Sequence, residues 1–171
     1  MLRQFLDSGS ELAVTMEDDV MISTNLIGEL EEVVKDFLRL ELDVMMLGYL
    51  VVDKLEDQYE SILRTPTFNY MKYPIEIFGL QMCLIRRSHA QWIIDNFGPG
   101  SEMYKSFLTQ PGAHHYIPDW IITKYGQRAM AYPMLAIEEH GGGRGWPDDG
   151  HARFHEWCHN NQIAYWPGRY I

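Results

Sequence analysis

Three consecutive carboxylates, Glu17, Asp18 and Asp19, interrupt an otherwise apolar stretch near the start of this 171-residue sequence. Because side chains alternate along an extended chain, Glu17 and Asp19 can face one way while Asp18 faces the other. Two converging carboxylates repel each other unless a cation lies between them. Oxygen ligands of this kind favour Mg²⁺ or Mn²⁺, which substrate phosphates and water complete. The alternative is an acidic turn that caps the next helix, although Asp19 lies too far ahead of a helix starting near residue 25 to be its cap.

A short apolar run, Leu12–Met16, leads into the acidic residues and contains the β-branched Val14 and Thr15, so it is predicted to be a strand. A helix is predicted next, because apolar residues recur at helical spacing from Leu26 to Leu38. In open α/β sheets, ligands bind outside the carboxyl ends of the strands. The acidic residues therefore occupy the position at which such a sheet would hold a ligand.

Apolar runs and helical segments continue to alternate along the rest of the chain. The further predicted strands are 43–52, 79–85 and 128–132, and the further predicted helices are 88–97 and 118–125. Ser88 and Gln91 form a capping box at the start of the first of these helices. Residues 53–74 are polar and irregular, so they are predicted to form either a long loop or a small hairpin over the sheet edge. This order favours an α/β fold with a largely parallel sheet, in a single domain spanning 1–171.

The composition is that of an ordinary globular protein, with 46% hydrophobic and 22% charged residues. A formal net charge of −10 argues against broad nucleic-acid binding, which needs a basic face. No apolar run approaches the ~20 residues that span a bilayer, and the N-terminal residues lack a signal-peptide core, so a cytoplasmic location is predicted. Two cysteines, Cys83 and Cys158, are too few for a disulfide framework.

The strand that ends in Glu-Asp-Asp resembles the DxD element of nucleotide-sugar glycosyltransferases with the GT-A fold. Its sequence LAVTMEDDV is similar to the LILEDD element of glycosyltransferase family 25 and related viral and bacterial sugar transferases. A second segment, GLQMCLIRRSHAQWII, resembles that family's strand and Ser-capped helix. A third, IPDWIITKYGQRAMAYPMLAIEEH, resembles its PVDxxL helix followed by a strand that ends near a proline. The likeness spans about residues 12–140 and implies a Rossmann-like, three-layer GT-A sandwich with a mostly parallel sheet.

The resemblance implies a metal-dependent glycosyltransferase of glycan biosynthesis. It would move a hexose from a nucleoside diphosphate sugar, with UDP as the favoured nucleotide, to a hydroxyl of a glycan, lipid or protein acceptor. Mn²⁺ or Mg²⁺, held by Asp19 and by Glu17 or Asp18, would neutralise the leaving diphosphate. Asp119 aligns with the aspartate of PVDxxL and would be the general base of an inverting transfer. The alternative role of Asp119 is to cap its helix.

A glycine-rich stretch after the last predicted strand contains three further candidates. His140 would be a third metal ligand or would meet the diphosphate, as a C-terminal histidine does in several GT-A families; the alternative is a surface histidine in a loop. Glu138 and Glu139 beside it are alternative acids. Arg144 lies on a glycine run, where backbone can approach phosphates closely. Trp146 is the best candidate for stacking on a sugar face.

Three histidines, His151, His155 and His159, recur every four residues beside Cys158, so they share one face of a predicted helix. A zinc site is the alternative there, but the paired cysteines of a structural zinc site are absent from the sequence. A partly packed, solvated helix is the favoured interpretation.

Two departures from the family limit what the resemblance implies. The family places a nucleotide-binding strand and helix ahead of the Glu-Asp-Asp strand, whereas here that strand begins at Leu12. We therefore expect an N-terminally truncated or degenerate member with an exposed sheet edge. Gln81 and Met82 replace small residues of the family, so substrate choice is not implied. The alternatives are a metal-dependent phosphohydrolase and a non-catalytic GT-A-like remnant that binds a carbohydrate or a protein.

Overall fold

The computed structural model describes residues 1–50, 59–73, 77–109, 117–139 and 150–171. The strands are β1 (Leu12–Met16), β2 (Val20–Ile22), β3 (Val44–Leu50), β4 (Ser61–Arg64), β5 (Asn69–Met71), β6 (Phe78–Arg86), β7 (Arg128–Tyr132) and β8 (Ala136–Glu138). The helices are α1 (Leu2–Ser8), α2 (Leu26–Arg39), α3 (Arg87–Phe97), α4 (Glu102–Leu108), α5 (Ile117–Thr123) and α6 (Gly150–Tyr165). None of these helices combines the length and the apolar character that crossing a membrane requires.

The main sheet has six strands in the order β1-β6-β3-β7-β5-β4. Only β3 and β7 are parallel among its neighbouring pairs, and the other four pairs are antiparallel. The structure thus confirms the mixed α/β class, but the prediction of a largely parallel sheet is wrong for the described strands. A parallel connection needs a long crossover, usually a helix. No described helix lies between β4 and β6, and β6 runs opposite to both of its neighbours.

Four strands of the main sheet, β1, β3, β7 and β4, nevertheless point in the same direction. Since β6 is antiparallel to both β1 and β3, these two strands run the same way, and β7 is parallel to β3. The carboxyl ends of β1, β3 and β7 therefore lie at one edge of the sheet. The acidic residues 17–19 follow β1 at that edge, where the sequence predicted a ligand site.

Helices cover both faces of the sheet. Val33 and Phe37 of α2 are fully buried against Met45 on one face. Ile93 of α3 packs with Val44 on the other face, together with residues of α1 and α5. Consecutive residues of β3 thus face opposite sides, which explains why this strand is a continuous apolar run rather than an alternating one.

A second, two-stranded sheet was not predicted from the sequence. β2 and β8 are antiparallel, with Val20 opposite Glu138 and Ile22 opposite Ala136. Each strand has three residues, too few for a strand pattern to be recognised. β2 directly follows the acidic residues and β8 follows β7, so the pairing of β2 with β8 joins these two parts of the chain.

The C-terminal residues extend this small sheet. Ile22 and Ile171 exchange two backbone hydrogen bonds of 2.8 and 2.9 Å. Next to them, Arg169 forms an ion pair of 3.0 Å with Glu29 of α2 and donates to the carbonyl of Met134. The C-terminal segment therefore holds β2 against α2.

Two local predictions have opposite outcomes. Residues 53–74 were predicted to form a long loop or a hairpin, and their described part is the antiparallel hairpin β4–β5 at the sheet edge opposite β1. The capping box at Ser88 is wrong, because β6 runs directly into α3 and the N-cap is Arg86, without a side-chain cap. Gln91 donates instead to Asp95, 2.8 Å away.

Candidate functional site

The acidic loop, residues 17–19, is held by backbone hydrogen bonds at both ends. The Glu17 N–H donates to the carbonyl of Gln81 at 3.1 Å and thereby ends the β1–β6 ladder. The Glu139 N–H donates to the carbonyl of Asp19 at 2.6 Å, directly beyond the β2–β8 ladder. The three carboxylates are therefore carried on a short loop whose ends are fixed by two different sheets.

Helix α6 contributes a histidine pair to the same region. Nδ1 of His155 lies 2.5 Å from Oε2 of Glu138, and the two side chains are only 24% and 14% exposed. One turn later, Nδ1 of His159 lies 2.7 Å from the backbone carbonyl of Glu138. Two members of the histidine repeat thus dock α6 onto the end of β8.

The charge environment of His155 connects this pair to the acidic loop. The hydrogen bond to Glu138 raises the pKa of His155, and partial burial opposes that rise. The negative charges of Glu138, Glu17 and Asp19 raise the pKa further. Since Glu17 and Asp19 both act on the same imidazole, their charges lie within electrostatic reach of α6.

The described residues contain no group of three or more histidine, cysteine, aspartate or glutamate side chains placed to hold a metal ion. A Mg²⁺ or Mn²⁺ ion that keeps water and binds substrate phosphates needs only one or two protein carboxylates. The donor chemistry of Glu17 and Asp19 fits an ion of that kind, completed by its substrate.

The zinc alternative on α6 gains no support from the structure. Cys158 is fully buried, and burial raises the pKa of its thiol to about 12. The neighbouring histidines His155 and His159 each direct one ring nitrogen to Glu138, and the side chain of His151 lies outside the described part of the chain.

The remaining predicted site residues are placed only in part. Asp119 lies in the first turn of α5, which packs on the same sheet face as α3, but its side chain is outside the described residues. His140, Arg144 and Trp146 also lie outside them. Their roles stay predictions.

The contact between Glu138 and His155 could not be derived from the sequence. The histidine repeat was a visible signal, but it indicated a helix face and not its partner. The partner residue ends a three-residue strand that no pattern revealed.

Comparison of the sequence with models of protein families finds no match, and comparison with curated proteins finds none either.

Proposed function

We propose that this protein is a metal-dependent glycosyltransferase that transfers a hexose from a UDP-sugar to a hydroxyl of a glycan, lipid or protein acceptor. The observation that carries the proposal is the placement of the acidic loop. It lies at the edge where the carboxyl ends of β1, β3 and β7 meet, and both of its ends are held by backbone hydrogen bonds. Ligands of open α/β sheets bind at such edges.

The arrangement of the segments that resemble family 25 also supports the proposal. β1 carries the Glu-Asp-Asp residues and pairs directly with β6, which begins the second of these segments. β7, from the third segment, lies two strands beyond β6 in the same sheet. Segments that are far apart in the sequence are thus neighbours around one sheet, as parts of one site would be.

The proposed chemistry assigns a role to each group of residues. Asp19 with Glu17 would hold Mn²⁺ or Mg²⁺, which when bound would supply positive charge against the leaving diphosphate. The acceptor oxygen forms a bond to the anomeric carbon as the bond from that carbon to the diphosphate oxygen breaks. Asp119 would take the proton that the acceptor hydroxyl loses. His140, Arg144 and Trp146 would contact the diphosphate and the sugar.

The proposal predicts that UDP binding requires a metal ion and Asp19. In calorimetric titrations, the wild-type protein should bind UDP in the presence of Mn²⁺ and not in the presence of EDTA. Asp19→Asn should abolish this binding with little change in melting temperature, because the side chain is exposed and contributes little to the core.

Glu31→Gln is the matched control, since Glu31 is also an exposed carboxylate but lies on α2 and not on the acidic loop. It should bind UDP and Mn²⁺ like the wild type. Unfolding of Asp19→Asn would make the acidic loop structural and would contradict the metal assignment. Wild-type protein that binds no UDP at all would overturn the proposed function.

A further inference from the structure

Gln81 is a buried polar residue whose hydrogen bonding is incomplete. The residue is 3% exposed, and its Oε1 has no hydrogen-bond partner. Buried polar atoms in folded proteins are nearly always hydrogen-bonded, so an unpaired one calls for a specific explanation. An apolar side chain of similar length would fill the same space without this cost. The carboxamide is therefore not explained by packing.

Two glycines provide the room that this side chain occupies. Gly79 has φ +102°, and a Cβ atom there would collide with Oε1 of Gln81. A Cβ atom on Gly48 would lie 2.9 Å from the Cβ of Gln81 and 2.7 Å from the carbonyl oxygen of Ala136. Neither glycine can gain a side chain without displacing its surroundings. Gly79 thus leaves the space that Oε1 of Gln81 occupies, whereas the contact of Gly48 is with the Cβ atom that any side chain at position 81 would have.

Gln81 is also the direct neighbour of the acidic loop across the sheet. The antiparallel register pairs Met16 with Met82, and the next pair is Glu17 with Gln81, joined by their backbone hydrogen bond. Directly opposed residues of antiparallel strands project from the same face, with Cβ atoms about 4.5–5.5 Å apart. Gln81 and Glu17 are therefore cross-strand neighbours, while Oε1 of Gln81 lies beside Gly79, two residues nearer the start of β6.

We propose that Oε1 of Gln81 accepts a hydrogen bond from a hydroxyl group of the sugar whose diphosphate is held at the acidic loop, and so contributes to sugar selection. This inference rests on the proposed function. An unpaired acceptor needs a donor, and an ionised diphosphate offers only acceptors, whereas a hexose carries several hydroxyl donors. Because Oε1 is closed to solvent, the carboxamide must turn towards Glu17 to make this contact.

The variant that tests the proposal is Gln81→Met, with Met82→Leu as the matched control on the neighbouring buried position. Binding of UDP, UDP-glucose, UDP-galactose and UDP-N-acetylglucosamine is measured by calorimetry with Mn²⁺, and melting temperature is measured without ligand. We expect Gln81→Met to melt at or above the wild-type temperature, since it removes an unpaired acceptor. Its affinity for UDP should stay within about twofold of wild type, while its affinity for the preferred UDP-sugar should fall about tenfold.

Met82→Leu should change neither affinity. A clear fall in the melting temperature of Gln81→Met would show that the glutamine is structural and would overturn the inference. Equal losses of UDP and UDP-sugar binding, or no loss of either, would overturn it as well, while metal-dependent UDP binding by the wild type would leave the proposed function standing. Wild-type protein without UDP binding would overturn both.

Discussion

The Glu138–His155 pair at the candidate site makes stability depend on pH. Oε2 of Glu138 lies 2.5 Å from Nδ1 of His155, and the pKa of the histidine is raised above its ordinary value of 6.5. A raised pKa in the folded state means that folding favours the protonated imidazole. The stabilisation is therefore complete below about pH 6.5, where the unfolded chain is protonated too, and it is lost as pH rises through the raised pKa.

We expect the difference in melting temperature between wild type and His155→Asn to be largest near pH 6 and to shrink towards pH 8.5. Asparagine keeps a hydrogen-bond donor near the position of Nδ1 but cannot titrate. Thermal melts at half-unit pH intervals measure the difference. Glu156→Gln, an exposed neighbour on α6, should reproduce the wild-type profile. A difference that grows with rising pH would contradict the assigned direction of the pKa shift.

Tests of Asp119 must distinguish an effect on nucleotide and metal binding from an effect on the rate of sugar transfer. If it is the general base, Asp119→Asn should leave UDP and Mn²⁺ affinity nearly unchanged and should lower turnover by ~10²–10⁴. Asparagine caps a helix about as well as aspartate, so the free energy of unfolding should fall by well under ~1 kcal/mol.

The helix-cap interpretation of Asp119 predicts a different pair of results. Asp119→Asn would then have near-normal turnover, and Asp119→Ala would lose ~0.5–2 kcal/mol of stability. Measuring turnover and melting temperature for both variants decides between the two roles. Transfer by Asp119→Asn at the wild-type rate would exclude Asp119 as the base and would direct attention to Glu138 and Glu139.

At the scale of elements, β1 lies at one end of the described strand order and has β6 as its neighbour on one side. Because Glu17 bonds to β6 and bonding alternates along an antiparallel strand, Val14 and Met16 direct their N–H and C=O groups away from β6. Their side chains are also 42% and 50% exposed. An apolar edge of this kind promotes pairing between chains.

We therefore expect the protein to associate with itself through β1 as its concentration rises, and Val14→Lys to reduce that association. Sedimentation velocity over a range of concentrations measures it. The control is Ile27→Lys, because Ile27 is 78% exposed but lies on α2 away from the sheet edge. A monodisperse wild-type monomer at high concentration, or an equal effect of both substitutions, would show that the edge is not the contact.

The elements also show what a local pattern can and cannot reveal. β1 was predicted with its observed bounds, and β7 likewise, because short apolar runs between turn residues are typical of strands. The direction of β6 could not be predicted, since the same kind of apolar run occurs in parallel and in antiparallel strands. The sequence also predicted that the acidic loop follows the carboxyl end of β1, which the structure confirms, whereas a ligand at this loop stays a prediction. The partner of His155 was not, because that contact depends on the long-range pairing of β2 with β8.

At the scale of the whole molecule, the candidate site joins parts of the chain that are distant in sequence. β1 supplies the acidic loop, β6 holds one end of it, and the chain after β8 holds the other. Helix α6, near the C-terminal end of the described residues, then adds His155. A site built in this way depends on the completed sheet and not on one local segment.

The two anchors of the acidic loop also set the order in which the loop can form during folding. Its contact with Glu139 closes a long stretch of chain, and closing such a stretch costs entropy that only later contacts repay. During synthesis, β1 and α2 leave the ribosome long before β8 and α6 exist. Once β7 has left the ribosome, the nascent chain contains every strand of the main sheet. At that stage the acidic loop is held only at Glu17, because Glu139 and His155 have not yet been released. The acidic loop would gain its second anchor and its neighbouring histidine only after β8 and α6 have docked.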